Sequence, residues 1–269
     1  THNGLPVTAI EAGAFADCTS LVEIIIPNTV QRIDVGIDGF NGSGSAFEKC
    51  SKLKAIHIDD VPGTLNARYK SHDGVLYGYN DITGKWELLC IPGAKEGPLN
   101  VLVGTEVVIS NVFKSSKITE VTFPYTITEL RDQAFNTASK LTKIPFEAPP
   151  DYATPRPLSV PSGSIVSCSY LTEIKFPARL AEFESDSIQK CSKFASITIE
   201  DGKDNKFLTI GDEGRKVVCT GDGKTLVYCP KGMEGEFSVP VGIMTIAKSA
   251  FEDCTKLTAI HITETVSTI

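Results

Sequence analysis

Ala14-Phe15-Ala16-Asp17-Cys18-Thr19-Ser20-Leu21-Val22-Glu23-Ile24-Ile25-Ile26-Pro27, with Ile10 before it and Val30 and Ile33 after it, is the stretch on which the architecture turns. Reduced to spacing it reads Ile10-x4-Phe15-x2-Cys18-x2-Leu21-x2-Ile24-x-Ile26-Pro27, and it returns unchanged as Phe47, Cys50, Leu53, Ile56 and Ile58. Further copies supply Cys168, Leu171, Ile174, Phe176 and Pro177; Cys191, Phe194, Ile197 and Ile199; and Phe251, Cys254, Leu257, Ile260 and Ile262. Two more lack the cysteine, at Ile118-Val121-Phe123-Pro124 and at Leu141-Ile144-Phe146, which makes seven copies. Repetition at a fixed period of roughly 20 to 50 residues is the mark of a stacked architecture.

The basic period is 23 residues, from Ile118 to Leu141 and from Leu171 to Phe194. Longer intervals contain insertions: the Gly/Ser-rich Gly39 to Ser45 and the Pro-rich Ala148 to Pro161, both read as loops. A second level of repetition has an offset of 138, aligning Pro92, Glu96, Gly97, Val101, Val103, Gly104 and Phe113 with Pro230, Glu234, Gly235, Val239, Val241, Gly242 and Phe251. Each of these longer units opens on a pair of alternating strands. Lys216 to Thr220 and Thr225 to Cys229 flank a tight Gly221-Asp222-Gly223-Lys224 turn; Gly74 to Tyr79 and Trp86 to Ile91 flank a longer turn from Asp81 to Gly84. Two β-hairpin insertions, near residues 69–92 and 206–230, are therefore predicted at equivalent places.

In Leu-x-x-Ile-x-Ile the last two isoleucines share one face of a strand, and the residue between them faces away. So short a strand cannot shield its own apolar side. Stacking successive turns pairs the strands in parallel and merges the isoleucines into one core. The phenylalanines at 15, 47, 113, 135 and 251 are placed between the sheet and an outer wall, for which a short helical turn is expected. Proline after the strand, at 27, 124 and 177, removes a ladder donor and ends it.

This unit, Ala-Phe-x-x-Cys-x-x-Leu-x-x-Ile-x-Ile-Pro followed by Val-x-x-Ile and clearest over Ala14 to Ile33, resembles the BspA-type leucine-rich repeat. The Asp73-Gly74-Val75-Leu76-Tyr77 element and the later Leu-Cys-Ile-Pro-Gly are also similar to segments found between repeats in that family. The resemblance spans nearly the whole chain. It implies an α/β solenoid, a right-handed leucine-rich-repeat superhelix with a parallel sheet of short strands and two hairpin insertions, forming one unit over residues 1–269. It also implies display on, or secretion from, a bacterial cell, with adhesion to host or neighbouring-cell proteins, and it names no ligand. The unit from Ala148 to Ser167 departs from the pattern by lacking Ala-Phe, and Ile188 replaces phenylalanine in the next, so a kink or bulge is expected there.

Composition narrows the function classes. Hydrophobic residues make up 41% and charged residues 22% of the chain, enough for a buried core. A net charge of −7 without a basic run leaves nothing to neutralise phosphates, so nucleic acid is not an expected partner. No apolar run approaches the roughly 20 residues that cross a bilayer, and no membrane insertion is expected of this segment. The chain starts at Thr1 without a charged-then-apolar leader, as a trimmed or mature fragment of a longer protein would.

Five of the eight cysteines fall at one repeat position. Stacked pairs such as Cys18 with Cys50 or Cys168 with Cys191 could bridge or share a metal. Ser116 and Ala138 occupy the same position elsewhere, which favours buried free thiols at a site asking for a small, weakly polar group. Of the histidines at 2, 57, 72 and 261, His57 and His261 hold the outward position between core isoleucines, several repeats apart, too far to converge on a metal or a proton. Asp201-Gly202-Lys203-Asp204-Asn205 lacks the alternating acids and closing glutamate of a calcium loop and is read as a turn. Glu182 and Glu184 lie in a connecting segment, and no phosphate loop or nucleophile elbow is present, so neither catalytic residues nor a cofactor are expected.

What remains is surface. The outward strand positions Glu23, Ile25, His57, Glu120, Thr122, Lys143, Lys175, Thr198 and His261 are predicted to form one broad ladder for a protein partner, as extended solenoid faces do. The alternative is carbohydrate capture, for which Tyr77, Tyr79 and Trp86 on the first hairpin form the only aromatic cluster; a non-binding spacer is a third reading.

Overall fold

The computed structural model describes residues 5–34, 45–59, 68–114 and 116–269. The Leu-x-x-Ile-x-Ile segments form short parallel strands stacked in chain order. Glu23–Pro27 pairs with Ala55–Asp59 in strict register, Ile24 against Ile56 and Ile26 against Ile58. Glu96–Asn100, Lys117–Thr122, Lys143–Ile144, Glu173–Phe176 and Ser196–Ile199 build a five-stranded sheet, and Gly235–Ser238 pairs with Leu257–His261. A second wall is made by the Val-x-x-Ile positions: Val107–Val108, Glu129–Leu130, Leu158–Val160 and Leu180–Phe183, again parallel. The protein is thus a β-solenoid of stacked coils. Leu158–Val160 falls inside the segment read as a Pro-rich loop, so that insertion gives back a strand at its end; the other insertion, apart from Ser45, lies outside the described residues.

The α component expected of the outer wall is a correction: among the described residues there is no helix. The hydrogen bonds explain why. Along Gly13 to Cys18, alternate amides reach the next coil, Gly13 N to Ser45 O at 3.2 Å, Phe15 N to Ala46 O at 2.8 Å and Asp17 N to Glu48 O at 2.9 Å, while the intervening ones close four-residue turns. The same alternation links Gln133, Phe135 and Thr137 to Gly163, Ser164 and Val166. A helix would spend these donors inside one coil. Left-handed residues also recur in this segment, Gly13 at φ 67° and Asp17 at φ 57°, or Gln133 at 56° and Thr137 at 55°, and each stops helical propagation. The wall is an inter-coil ladder.

Both predicted hairpins are three-stranded antiparallel meanders. The first is Tyr69–His72, Val75–Asn80 and Lys85–Cys90; the second is Phe207–Ile210, Val217–Thr220 and Thr225–Tyr228. Their last strands join the solenoid wall in parallel, Glu87 opposite Val107 and Thr225 opposite Thr245, so the offset of 138 holds down to the register. Gly104 and Gly242, also related by that offset, share a left-handed conformation at φ 95° and 96°, which is why the position is glycine in both copies. The unit lacking Ala-Phe keeps its stacking, Ile165 opposite Ile188, and its irregularity is one register shift between Leu158 and Ser159.

The core follows the coils. Phe15 stacks on Phe47 with ring centroids 5.6 Å apart, and Phe113 on Phe135 at 4.5 Å. A second file runs through the strand ends, Phe123 to Phe146 at 5.5 Å and Phe146 to Phe176 at 5.8 Å. At the second meander the core divides: Val218 and Tyr228 pack toward the earlier coils, Val217, Cys219 and Leu226 toward the later ones.

The repeat cysteines are free thiols that tie coils together by weak hydrogen bonds. Cys50 Sγ donates to Phe15 O at 3.1 Å and Cys168 Sγ to Phe135 O at 3.2 Å, each to the preceding coil. A small donor is what the position uses. Burial pushes the thiols of Cys50, Cys90 and Cys219 up, the last to about 12, which keeps them protonated and unreactive at neutral pH. Alkylation of the native protein by iodoacetamide should therefore modify exposed Cys18 first, read by peptide mass spectrometry. Equal labelling of Cys168 without denaturant would contradict the stacked core.

Candidate functional site

The nine outward residues do not form one ladder. The meanders interrupt the front face, leaving three separate sheets. Glu23, Ile25 and His57 sit on the first, with Ile25 directly opposite His57 and 70% exposed. His261 sits on the last, its Nε2 3.1 Å from Glu236 Oε2. Glu120, Thr122, Lys143, Lys175 and Thr198 share the five-stranded sheet.

Four of these come together there. Register places Glu120, Lys143, Glu173 and Ser196 in one row across successive coils, and Lys175 beside Thr198 in the next. Glu120, Lys143, Lys175 and Thr198 line a shallow groove of about 310 Å³, floored in part by Pro145. Thr122 stands at the side, opposite Asn100. The charges alternate and pair: Lys143 Nζ lies 3.1 Å from Glu173 Oε1, and Lys175 Nζ 3.0 Å from Glu200 Oε1. These pairs are exposed, so each contributes only about 0–1 kcal/mol to folding. Their side chains are free to exchange partners at small cost, which suits a contact surface.

The aromatic cluster is not a platform. Tyr77 is completely buried, its oxygen accepting from Leu102 N at 3.3 Å, and burial pushes its hydroxyl pKa well up. The strand Val75–Asn80 is covered on both faces, so alternation cannot expose every second residue. Tyr79 and Trp86 do meet, with centroids 5.7 Å apart, but Lys70 Nζ sits 4.0 Å over the indole and occupies the face a sugar ring would stack on. Asn205 closes its segment as a turn, Nδ2 donating to Glu200 O at 2.7 Å. Sequence reasoning missed the notch that holds Lys231, described below; the signal was available, because lysine replaces Gly93 at the equivalent position of the 138-residue repeat.

A family model for the BspA type leucine rich repeat region matches in six copies over residues 4–66, 103–212 and 232–269. The chain belongs to the BspA-type leucine-rich repeat family. The unmatched stretches between the matches contain the first meander and the last two strands of the second, which is where this BspA-type protein departs from a plain array of coils. No relative among curated proteins matches significantly. Similar solved structures include a leucine rich cell surface protein from Faecalibacterium prausnitzii A2-165, at 20% identity and a TM-score of 0.49, covering 96% of this chain and 57% of that one. A leucine-rich repeat protein from Eubacterium ventriosum ATCC 27560 aligns at 18% identity and TM-score 0.44, covering 91% and 60% of the two chains. One from Bacteroides ovatus ATCC 8483 gives 18% and 0.45, covering 98% and 66%. The BspA-type chain described here thus spans about three fifths of the length of the first two.

Proposed function

We propose that this chain is one continuous solenoid serving as a protein-interaction module, displayed at a cell surface or secreted, that binds a host or neighbouring-cell protein through its five-stranded sheet. The observation that carries the reading is the row Glu120-Lys143-Glu173 with Lys175 and Glu200 around the groove. Consecutive coils hold alternating exposed charges at fixed strand spacing on a rigid support. Such a pattern complements a protein surface of mixed sign, and a rigid face loses little conformational entropy on docking. Family membership supports the location. Carbohydrate capture has weaker support, because the cluster it needs is half buried and covered by Lys70.

The test is binding of the purified chain to a panel of immobilised extracellular-matrix and cell-surface proteins beside a glycan array. Lys143→Glu with Lys175→Glu should lower affinity for the protein partner at least tenfold, with unchanged circular dichroism. Undiminished binding by this variant would remove the sheet face from the site, and glycan signal lost on Trp86→Ala would replace the reading with sugar capture.

A further inference from the structure

Each meander displaces the coil stack and leaves a notch at its edge. In both, the chain after the meander closes onto the coil before it: Ala94 N donates to Leu53 O and Gly232 N to Phe194 O, each at 2.7 Å. A Cβ at Gly232 would lie 2.9 Å from backbone atoms of Lys193 and Phe194, so the second closure is the tighter one and uses glycine where the first has Ala94. The first notch, about 250 Å³, has a floor of Leu53, Cys90 and Ile91 with Gly93 beside it. The second, about 200 Å³, has Lys231 where the first has Gly93 and Glu252 where the first has Lys114.

Lys231 is only 4% exposed, and its Nζ has no hydrogen-bond partner; it lies 4.9 Å from the Tyr228 ring, with the thiols of Cys229 and Cys254 also within its electrostatic reach. Asp186, lining the same notch, uses Oδ2 to accept from Ser162, while its Oδ1 is buried without a partner. Lys231 and Asp186 therefore line one notch, each with a buried polar atom that has no partner and the two not in ion-pair contact, with Lys190, Glu252 and Asp253 around them. Buried groups of this kind are costly unless something pairs with them. We propose that the second notch is a binding site for a small zwitterion of the α-amino-acid class, its carboxylate facing Lys231 and its ammonium facing Asp186. The volume lies below the roughly 300–1,000 Å³ of pockets for drug-sized ligands, which limits the ligand to this scale. The plain repeat supplies the cavity, and the lysine for glycine exchange supplies its chemistry.

Calorimetric titration of the intact chain with L-alanine, acetate and ethylammonium tests this. L-Alanine should bind saturably, with acetate and ethylammonium at least tenfold weaker. Lys231→Met and Asp186→Asn should each weaken L-alanine at least tenfold. Ligand-free Lys231→Met should melt no lower than the parent, since an apolar side chain of like length relieves the unpaired charge. Absence of saturable binding up to about 10 mM, the regime of very weak complexes, would mean that the notch holds water only and would overturn the proposal. So would acetate binding as tightly as L-alanine, or both variants binding like the parent. A Lys231→Met chain that melts markedly lower would assign the lysine to structure and likewise overturn it; Asp186→Asn keeps the binding test available in that case.

Discussion

Phe135→Ala is expected to lower the unfolding free energy by about 3–5 kcal/mol in urea denaturation. The ring is fully buried, stacked 4.5 Å from Phe113 and edge-on to Phe123 at 6.0 Å, so its loss opens a cavity between two successive coils. Neighbouring coils cannot collapse into it, because the amides of Phe135 and Thr137 hold the wall at fixed spacing to Ser164 and Val166. Tyr152, 89% exposed, is the control: its alanine variant should stay within about 0.5 kcal/mol of the parent. A loss below about 1 kcal/mol at Phe135 would deny that the phenylalanine file is the core.

Arg131→Met is expected to cost about 2–3 kcal/mol, for a different reason. Glu87 is 6% exposed on the last strand of the first meander, and its Oε1 accepts from Arg131 Nη2 at 2.7 Å and from Asn80 at 3.0 Å. Removing the arginine strands a buried carboxylate, which typically costs about 3–5 kcal/mol; the arginine side chain is 33% exposed, so water recovers part of it. Glu129 is less affected because Lys85 also faces it, Nζ to Oε2 at 3.6 Å. Adding Glu87→Leu to Arg131→Met should restore most of the stability, and a double-mutant cycle with a coupling below about 0.5 kcal/mol would refute the ion pair as the tie between meander and wall.

The period of the coils was legible because Ile-x-Ile alternation and the phenylalanine spacing are direct consequences of burial. Ile56 and Ile58 face inward and His57 outward, as the pattern requires. The helical wall was not there to be read: the left-handed Asp17, Gln133 and Thr137 carry no sequence signal as strong as glycine, and the inter-coil donors become visible only when coils are stacked. The outer strands of the meanders were missed for a related reason. Phe207–Ile210 is evenly half-buried on an edge, so its residues show no alternation of apolar and polar. Tyr77 was misplaced by the converse, a strand buried on both faces that alternation reads as half exposed. For the candidate face, the outward positions were correct coil by coil. Their division into three sheets depends on how the meanders enter the stack, and that is a property of tertiary pairing.

One deletion series measures directly whether coils piled in chain order are the unit of this fold. Excising residues 118–140 removes a single period and rejoins Lys117 to Leu141 at the equivalent position, whereas excising residues 118–129 removes half of one and puts every later side chain on the wrong side of its coil. The 23-residue deletion should give a folded protein with a cooperative unfolding transition and a crystal structure shorter by one strand spacing, about 4.7–4.9 Å; the 12-residue deletion should not fold. Two deletions that are tolerated alike, or that fail alike, would contradict the account.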